Sequence, residues 1–181
     1  VVLLLASCIL VASRWIKYRH QQPIRFTLMS ILIFLVFFFV AGEELSWGQR
    51  IFNLESSEYF KEHNAQEELN LHNLTVGEVK INKLVFGVIL TTAILVYMIL
   101  VPLLYQKVAP FRSLIDAWFI PVPRVRHIIT YLLLLVAISV IPASKNWELL
   151  EFGSVLVFTT ILWNPFNHQS YRLSTNIESI D

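Results

Sequence analysis

Phe26-Thr27-Leu28-Met29-Ser30-Ile31-Leu32-Ile33-Phe34-Leu35-Val36-Phe37-Phe38-Phe39-Val40-Ala41-Gly42 carries no charged residue, and it is framed by Arg25 on one side and Glu43-Glu44 on the other. A helix needs about 17–20 residues to cross a ~30 Å hydrocarbon core at ~1.5 Å per residue, so this run predicts a membrane-crossing helix. Four further apolar runs are arranged around it. Val1–Ser13 comes before it, followed by Arg14, Lys17 and Arg19. Leu84–Leu104 comes after it, bracketed by Lys83 and Lys107. Ile128–Ala143 stands behind Arg124, Arg126 and His127, and Trp147–Phe166 is the last. In a cleaved signal peptide the basic residues come before the apolar stretch. In the first run they come after it, which predicts the rear part of a crossing helix.

Composition agrees with lipid as the solvent. The 181 residues are 56% hydrophobic with a mean hydropathy of +0.62, and 15% are charged, against about 25% in ordinary soluble domains. The expected fold class is an all-α integral membrane protein with about five transmembrane helices, forming a single domain over residues 1–181. A polar loop joins helices two and three, and residues 167–181 form a polar tail expected to fray. Cys8 is the one cysteine, so neither an internal disulfide nor a cysteine-based metal site can form.

With five crossings, alternate loops face opposite sides. Nine of the 14 basic residues fall on the side that holds Arg14–Arg25, Tyr105–Arg126 and the tail. The positive-inside rule puts that side, and the C-terminus, in the cytoplasm. Ten of the 13 acidic residues lie on the other face. Basic residues are spread over several loops, so nucleic acid is not an expected partner. The expected partners are the bilayer and other membrane-protein subunits.

The acidic face holds the candidate site. Glu43 and Glu44 end helix two, and Glu148 and Glu151 begin helix five, three apart and on one helical face. The apolar core of the fifth run, Phe152–Trp163, is too short to span alone, which draws Glu151 towards lipid; an acid at that depth is a functional candidate. The loop between helices two and three carries Asn64, Glu68 and His72, which line one stripe if the stretch is helical. Gln49, Arg50, Gln66, Asn70 and Asn73 add further polar groups. Within this loop Ser56 is expected to cap a short helix that carries Tyr59 and Phe60. Phe111–Ile120, stopped by Pro121 and Pro123, is expected to lie in the interface.

Three chemistries fit such a cluster. A divalent metal (manganese, iron or zinc) would suit Glu43, Glu44, Glu68, His72, Glu148 and Glu151 as ligands. With Glu44, Glu68, His72 and Glu151 as ligands or acid–base groups, it would serve a metal-assisted enzyme acting on a lipid or lipid-linked substrate. Alternatively the chain is a structural or accessory subunit of a larger membrane complex, with its loop acids solvated or ion-paired. As a third alternative, the acids are relays in a small proton-coupled transporter. No HExxH, Ser-His-Asp or glycine-rich phosphate pattern singles out one of them. Asn73-Leu74-Thr75 is a glycosylation triplet, of no meaning in a bacterium.

Gly42-Glu43-Glu44-Leu45-Ser46-Trp47-Gly48-Gln49-Arg50-Ile51-Phe52, with Asn64-Ala65-Gln66-Glu67-Glu68-Leu69-Asn70-Leu71-His72-Asn73-Leu74, resembles a group of poorly characterised bacterial inner-membrane proteins. They carry a Gly-Glu-Glu-x-Ser-Trp-Gly-Gln-Arg block and then an Asn-x-Gln-Gly-Glu-x-Asn-x-His-Asn block. The resemblance covers about a quarter of the chain and departs from the pattern at Glu67, where the group has glycine. It implies a bacterial inner-membrane protein and singles out Glu43, Glu44, Gln49, Arg50, Asn64, Gln66, Glu68, Asn70, His72 and Asn73. It implies no particular activity.

Overall fold

The computed structural model describes the backbone of residues 1–76, 79–80, 89–140 and 146–171, and their side chains except 76, 79–80 and 146–148. The expectations resting on Glu78, Lys83, Lys145, Arg172 and the side chains of Lys80 and Glu148 lie outside the described residues, as does the tail beyond Tyr171.

Among the described residues, eight α-helices account for most of the chain. They are α1 (Val2–Tyr18), α2 (Ile24–Glu44), α3 (Gln49–Phe52), α4 (Glu58–His63), α5 (Leu90–Lys107), α6 (Ala109–Ala117), α7 (Val125–Val140) and α8 (Asn146–Trp163). Among the described residues, each of the five apolar runs is helical. Two of these helices, α2 and α5, are long and apolar enough to cross a membrane, whereas α7 and the apolar part of α8 are shorter. A two-residue antiparallel ribbon, β1 (Thr75–Val76) with β2 (Val79–Lys80), follows the loop.

Proline and backbone geometry mark the boundaries. Pro23, in extended conformation, precedes α2 and has no amide proton to leave unpaired there. Pro110 opens α6, and the single residue Val108 separates α6 from α5. Helix α2 ends at Glu44 because, one residue on, Ser46, Trp47 and Gly48 all have positive φ, at 48°, 53° and 86°. A glycine suits the last of these.

α8 is the hub. Leu162, near its C-terminus, belongs to one buried cluster with Leu4, Cys8 and Val11 of α1 and Phe37 and Ala41 of α2. Its Val157 and Ile161 pack with Met98 of α5 and Tyr131 of α7. Being covered on two sides, α8 is apolar around most of its circumference. Ser7, wholly buried, reaches across from α1 to Thr159 at 2.8 Å. Gly153 lets α7 approach closely, since a Cβ there would stand 2.4 Å from a Leu134 methyl carbon.

The ends of the bundle differ in chemistry. At one end Arg14 donates to the carbonyls of Leu162 and Trp163, Arg124 to those of Asn164 and Pro165, and Arg112 to those of Tyr105 and Gln106. These cations neutralise carbonyls that helix C-termini leave unpaired. Asn167 is buried there and bonds Asp116, the Ile120 carbonyl and the Val122 amide, while Ser170 and Tyr105 also donate to Asp116. The first residues of the expected fraying tail, Asn167–Tyr171, are therefore docked. His127 is buried at 4% exposure. At the other end lies the loop that follows α2.

Candidate functional site

The site is built on the reversal after α2. The positive φ angles at 46–48 turn the chain back, so the Trp47 indole lies over the end of α2. Its ring meets Phe38 and Phe39 edge to face. Gly42 is required beneath it, because a Cβ there would stand 2.8 Å from the ring. The same indole donates to Glu43 Oε1 at 2.8 Å.

Glu43 is 4% exposed, and its second oxygen reaches into the far side of the loop. Oε2 accepts the backbone N–H groups of Leu71 at 2.7 Å and His72 at 3.1 Å. The His72 Nδ1 lies 3.5 Å from the same oxygen. A single carboxylate thus ties the end of α2 to residues close to 30 positions later in the chain.

Glu68 forms the second anchor. Oε1 receives the Arg50 guanidinium through both Nε, at 2.9 Å, and Nη2. Oε2 accepts Ser46 Oγ and Asn70 Nδ2, each at 2.8 Å. Burial alone would push this carboxyl up. The hydrogen bonds from Arg50, Ser46 and Asn70, together with the Arg50 charge, outweigh it and hold Glu68 below its ordinary value of 4.5.

Asparagine and glutamine side chains complete the lattice. Asn64 Oδ1 accepts the backbone N–H groups of Gln66 and Glu68, while its Nδ2 donates to the Asn70 carbonyl and Oδ1. Asn70, 1% exposed, also accepts the Asn73 amide and donates to Ser46 Oγ. Gln49 bridges Ser56 Oγ and the Leu69 amide, each at 2.7 Å. Ser56 in turn donates to the Glu67 carbonyl.

These bonds correct several expectations. Residues 64–74 are not a helix, so the stripe of Asn64, Glu68 and His72 does not form. The Asn64 side chain takes the amides of 66 and 68, offering them a turn in place of helical partners. Ser57, not Ser56, occupies the cap position of α4, without a side-chain bond. Glu44 is exposed and stands apart from the lattice, so Glu43 is the inward member of the pair. Gln66 takes part through its backbone alone, and Asn73 through its backbone while being buried. Glu151 lies exposed on α8. Among the described residues no three His, Cys, Asp or Glu groups stand together as ligands for one ion, so the metal set expected from the sequence does not assemble there. Ser46, Trp47 and Ser56 are site residues that periodicity could not single out. Ser46 and Trp47 belong to the block that carries the resemblance.

Glu67 has φ +57°, a conformation that costs a side-chain-bearing residue about 1 kcal/mol or more. A glycine at this place would relieve it. Glu67→Gly is expected to raise stability by about 1 kcal/mol, net of the added chain entropy. Thermal unfolding in detergent measures this, and a clear loss would contradict the turn geometry.

Comparison with protein-family models, with curated proteins and with solved structures finds no match.

Proposed function

We propose that this chain is a polytopic membrane protein with five crossings, α1, α2, α5, α7 and α8, and that it serves as an accessory subunit of a membrane complex through a rigid outer-face loop. Exposure supports the membrane part. Only 17% of the most apolar stretch of α2, and of α5, is buried, far less than a core helix of a soluble protein would show. Leu32, Leu35, Val36, Leu133 and Val136 lie open along α2 and α7, an apolar surface suited to lipid. The cationic end is then cytoplasmic, and the bacterial inner membrane implied by the resemblance is the setting.

One observation carries the loop's role: all four oxygens of Glu43 and Glu68 are engaged by donors of the loop itself. Carboxylates so occupied build a surface. That surface presents Ile51, Phe52, Leu54 and Tyr59, each at least half exposed, a composition typical of recognition patches. The expected result is a co-purifying membrane subunit, seen by native mass analysis in mild detergent and lost in Phe52→Glu but kept in Glu44→Gln. A lone monomer under the mildest extraction would overturn the proposal. Cysteine labelling at Ser57 and Ser174, in a Cys8→Ser background, tests the topology; labelling of both from one side would end the five-crossing scheme.

A second role has one observation in its favour. The half-buried His72 imidazole beside the buried Glu43 carboxylate is an orientation used for acid–base work. An enzyme acting on a lipid-linked substrate would use His72 as the proton carrier with Glu43 orienting it. His72→Gln would then abolish the cellular function while leaving the partner bound, the reverse of Phe52→Glu.

A further inference from the structure

At the cationic end, away from the loop, α7 and α8 flank a groove of about 430 Å³ lined by Arg126, His127, Thr130, Leu156, Thr160 and Trp163, among others. Its two ends differ. Leu156 and the Trp163 ring form an apolar wall, and Trp163 is 71% exposed. Arg126, exposed, and His127, buried, line it from the first turn of α7. Among the described residues no carboxylate lines it.

The cations at this end are not equivalent. Arg14, Arg112 and Arg124 spend their guanidinium groups on backbone carbonyls. Arg126 is exposed, and its Nε stands 3.4 Å from His127 Nε2, the ring nitrogen that carries the proton when Nδ1 accepts. Among the described residues its Nη groups donate to nothing. His127 is fixed by the Arg124 amide, which donates to its Nδ1 at 3.1 Å. The positive end of α7 adds to the same field. Arg124 covers the Asn164 and Pro165 carbonyls, which would otherwise repel an anion.

We propose that this groove holds an anionic phospholipid, its phosphate on Arg126 and its upper acyl chain against Leu156 and Trp163. The proposal rests on the membrane reading above but not on the accessory role of the loop. Charge complementarity selects the occupant: a guanidinium with open donors suits a phosphate, and an apolar slot below it suits an alkyl chain. A zwitterionic lipid would fill the slot but carries its own cation to the mouth. A free phosphate would have no use for the slot.

The test is native mass analysis of delipidated protein in mild detergent, offered phosphatidylglycerol, phosphatidylcholine or inorganic phosphate. Phosphatidylglycerol adducts are expected to dominate. Arg126→Gln should lower their retention by about fivefold, the worth of one cation near a headgroup. Leu156→Trp, which fills the slot, should lower it independently of charge. Arg112→Gln, at the same end but bound to carbonyls, should leave it unchanged. Equal retention of phosphatidylcholine, an unchanged adduct in both groove variants, or displacement by millimolar inorganic phosphate would overturn the proposal. Binding in detergent does not depend on which side the groove faces. Failure of the topology would appear in the cysteine labelling instead.

Discussion

Glu43→Ala is expected to lower stability by about 3–5 kcal/mol, the range for stranding a buried, hydrogen-bonded group's partners. The magnitude follows from what the carboxylate holds. Removing it orphans the Trp47 indole N–H and the backbone amides of Leu71 and His72, all part-buried, and each such unsatisfied donor costs about 1 kcal/mol, at the low end of the range for buried groups. The apparent melting temperature in detergent should fall by about 10 °C, and protease should gain access between Leu54 and Leu71. Glu43→Gln keeps the shape and an acceptor but sets an amide N–H₂ against one of the three donors, so an intermediate loss is expected. Glu44→Ala, at an exposed position, should stay within about 0.5 kcal/mol of the parent. Equal effects at Glu43 and Glu44 would contradict the loop geometry.

That contrast also marks what was legible from residues alone. The helices were, because a run of apolar residues such as Phe26–Gly42 leaves the backbone one economical way to pair its amides in an apolar surround. The stop after the short helix α6 was legible from Pro121 and Pro123. The direction of Glu43 was not: adjacent acids at a helix end look alike until the turn after them is known, and that turn depends on three successive positive φ angles. Periodicity misled at Asn64, Glu68 and His72. A spacing of four has meaning only on a helix, and Asn64 diverts the amides that a helix would use. The role of Asn167 was hidden for a different reason. Its partners Asp116, Ile120 and Val122 are 45 to 51 residues earlier, on α6 and the segment after it. Local composition marks such a residue as tail, and long-range packing makes it core.

Asn70→Asp is the sharper test of the lattice, since it changes no volume and reverses the pH response. In the parent, Asn70 Nδ2 donates to Glu68 Oε2 at 2.8 Å and to Ser46 Oγ. Glu68 is held below its ordinary value of 4.5. Its contribution is therefore fully present above that value and is lost as pH falls through the lower folded value. In Asn70→Asp an oxygen replaces the donor nitrogen, and two carboxylates face one another in a site where Asn70 is 1% exposed. Two acids so close share a proton, which raises the pKa of the pair above its unfolded value. Stability is then lost as pH rises through that raised value and recovered as pH falls. At neutral pH the variant should be about 3–5 kcal/mol less stable than the parent, the cost of unpaired buried charge. Between about pH 7 and 5 the gap should narrow while the parent changes little. Unfolding of both proteins across that range, followed by intrinsic fluorescence in detergent, gives the comparison. A gap constant with pH would mean that the introduced carboxylate and Glu68 do not share a site, and the lattice joining Ser46, Asn70 and Glu68 would have to be redrawn.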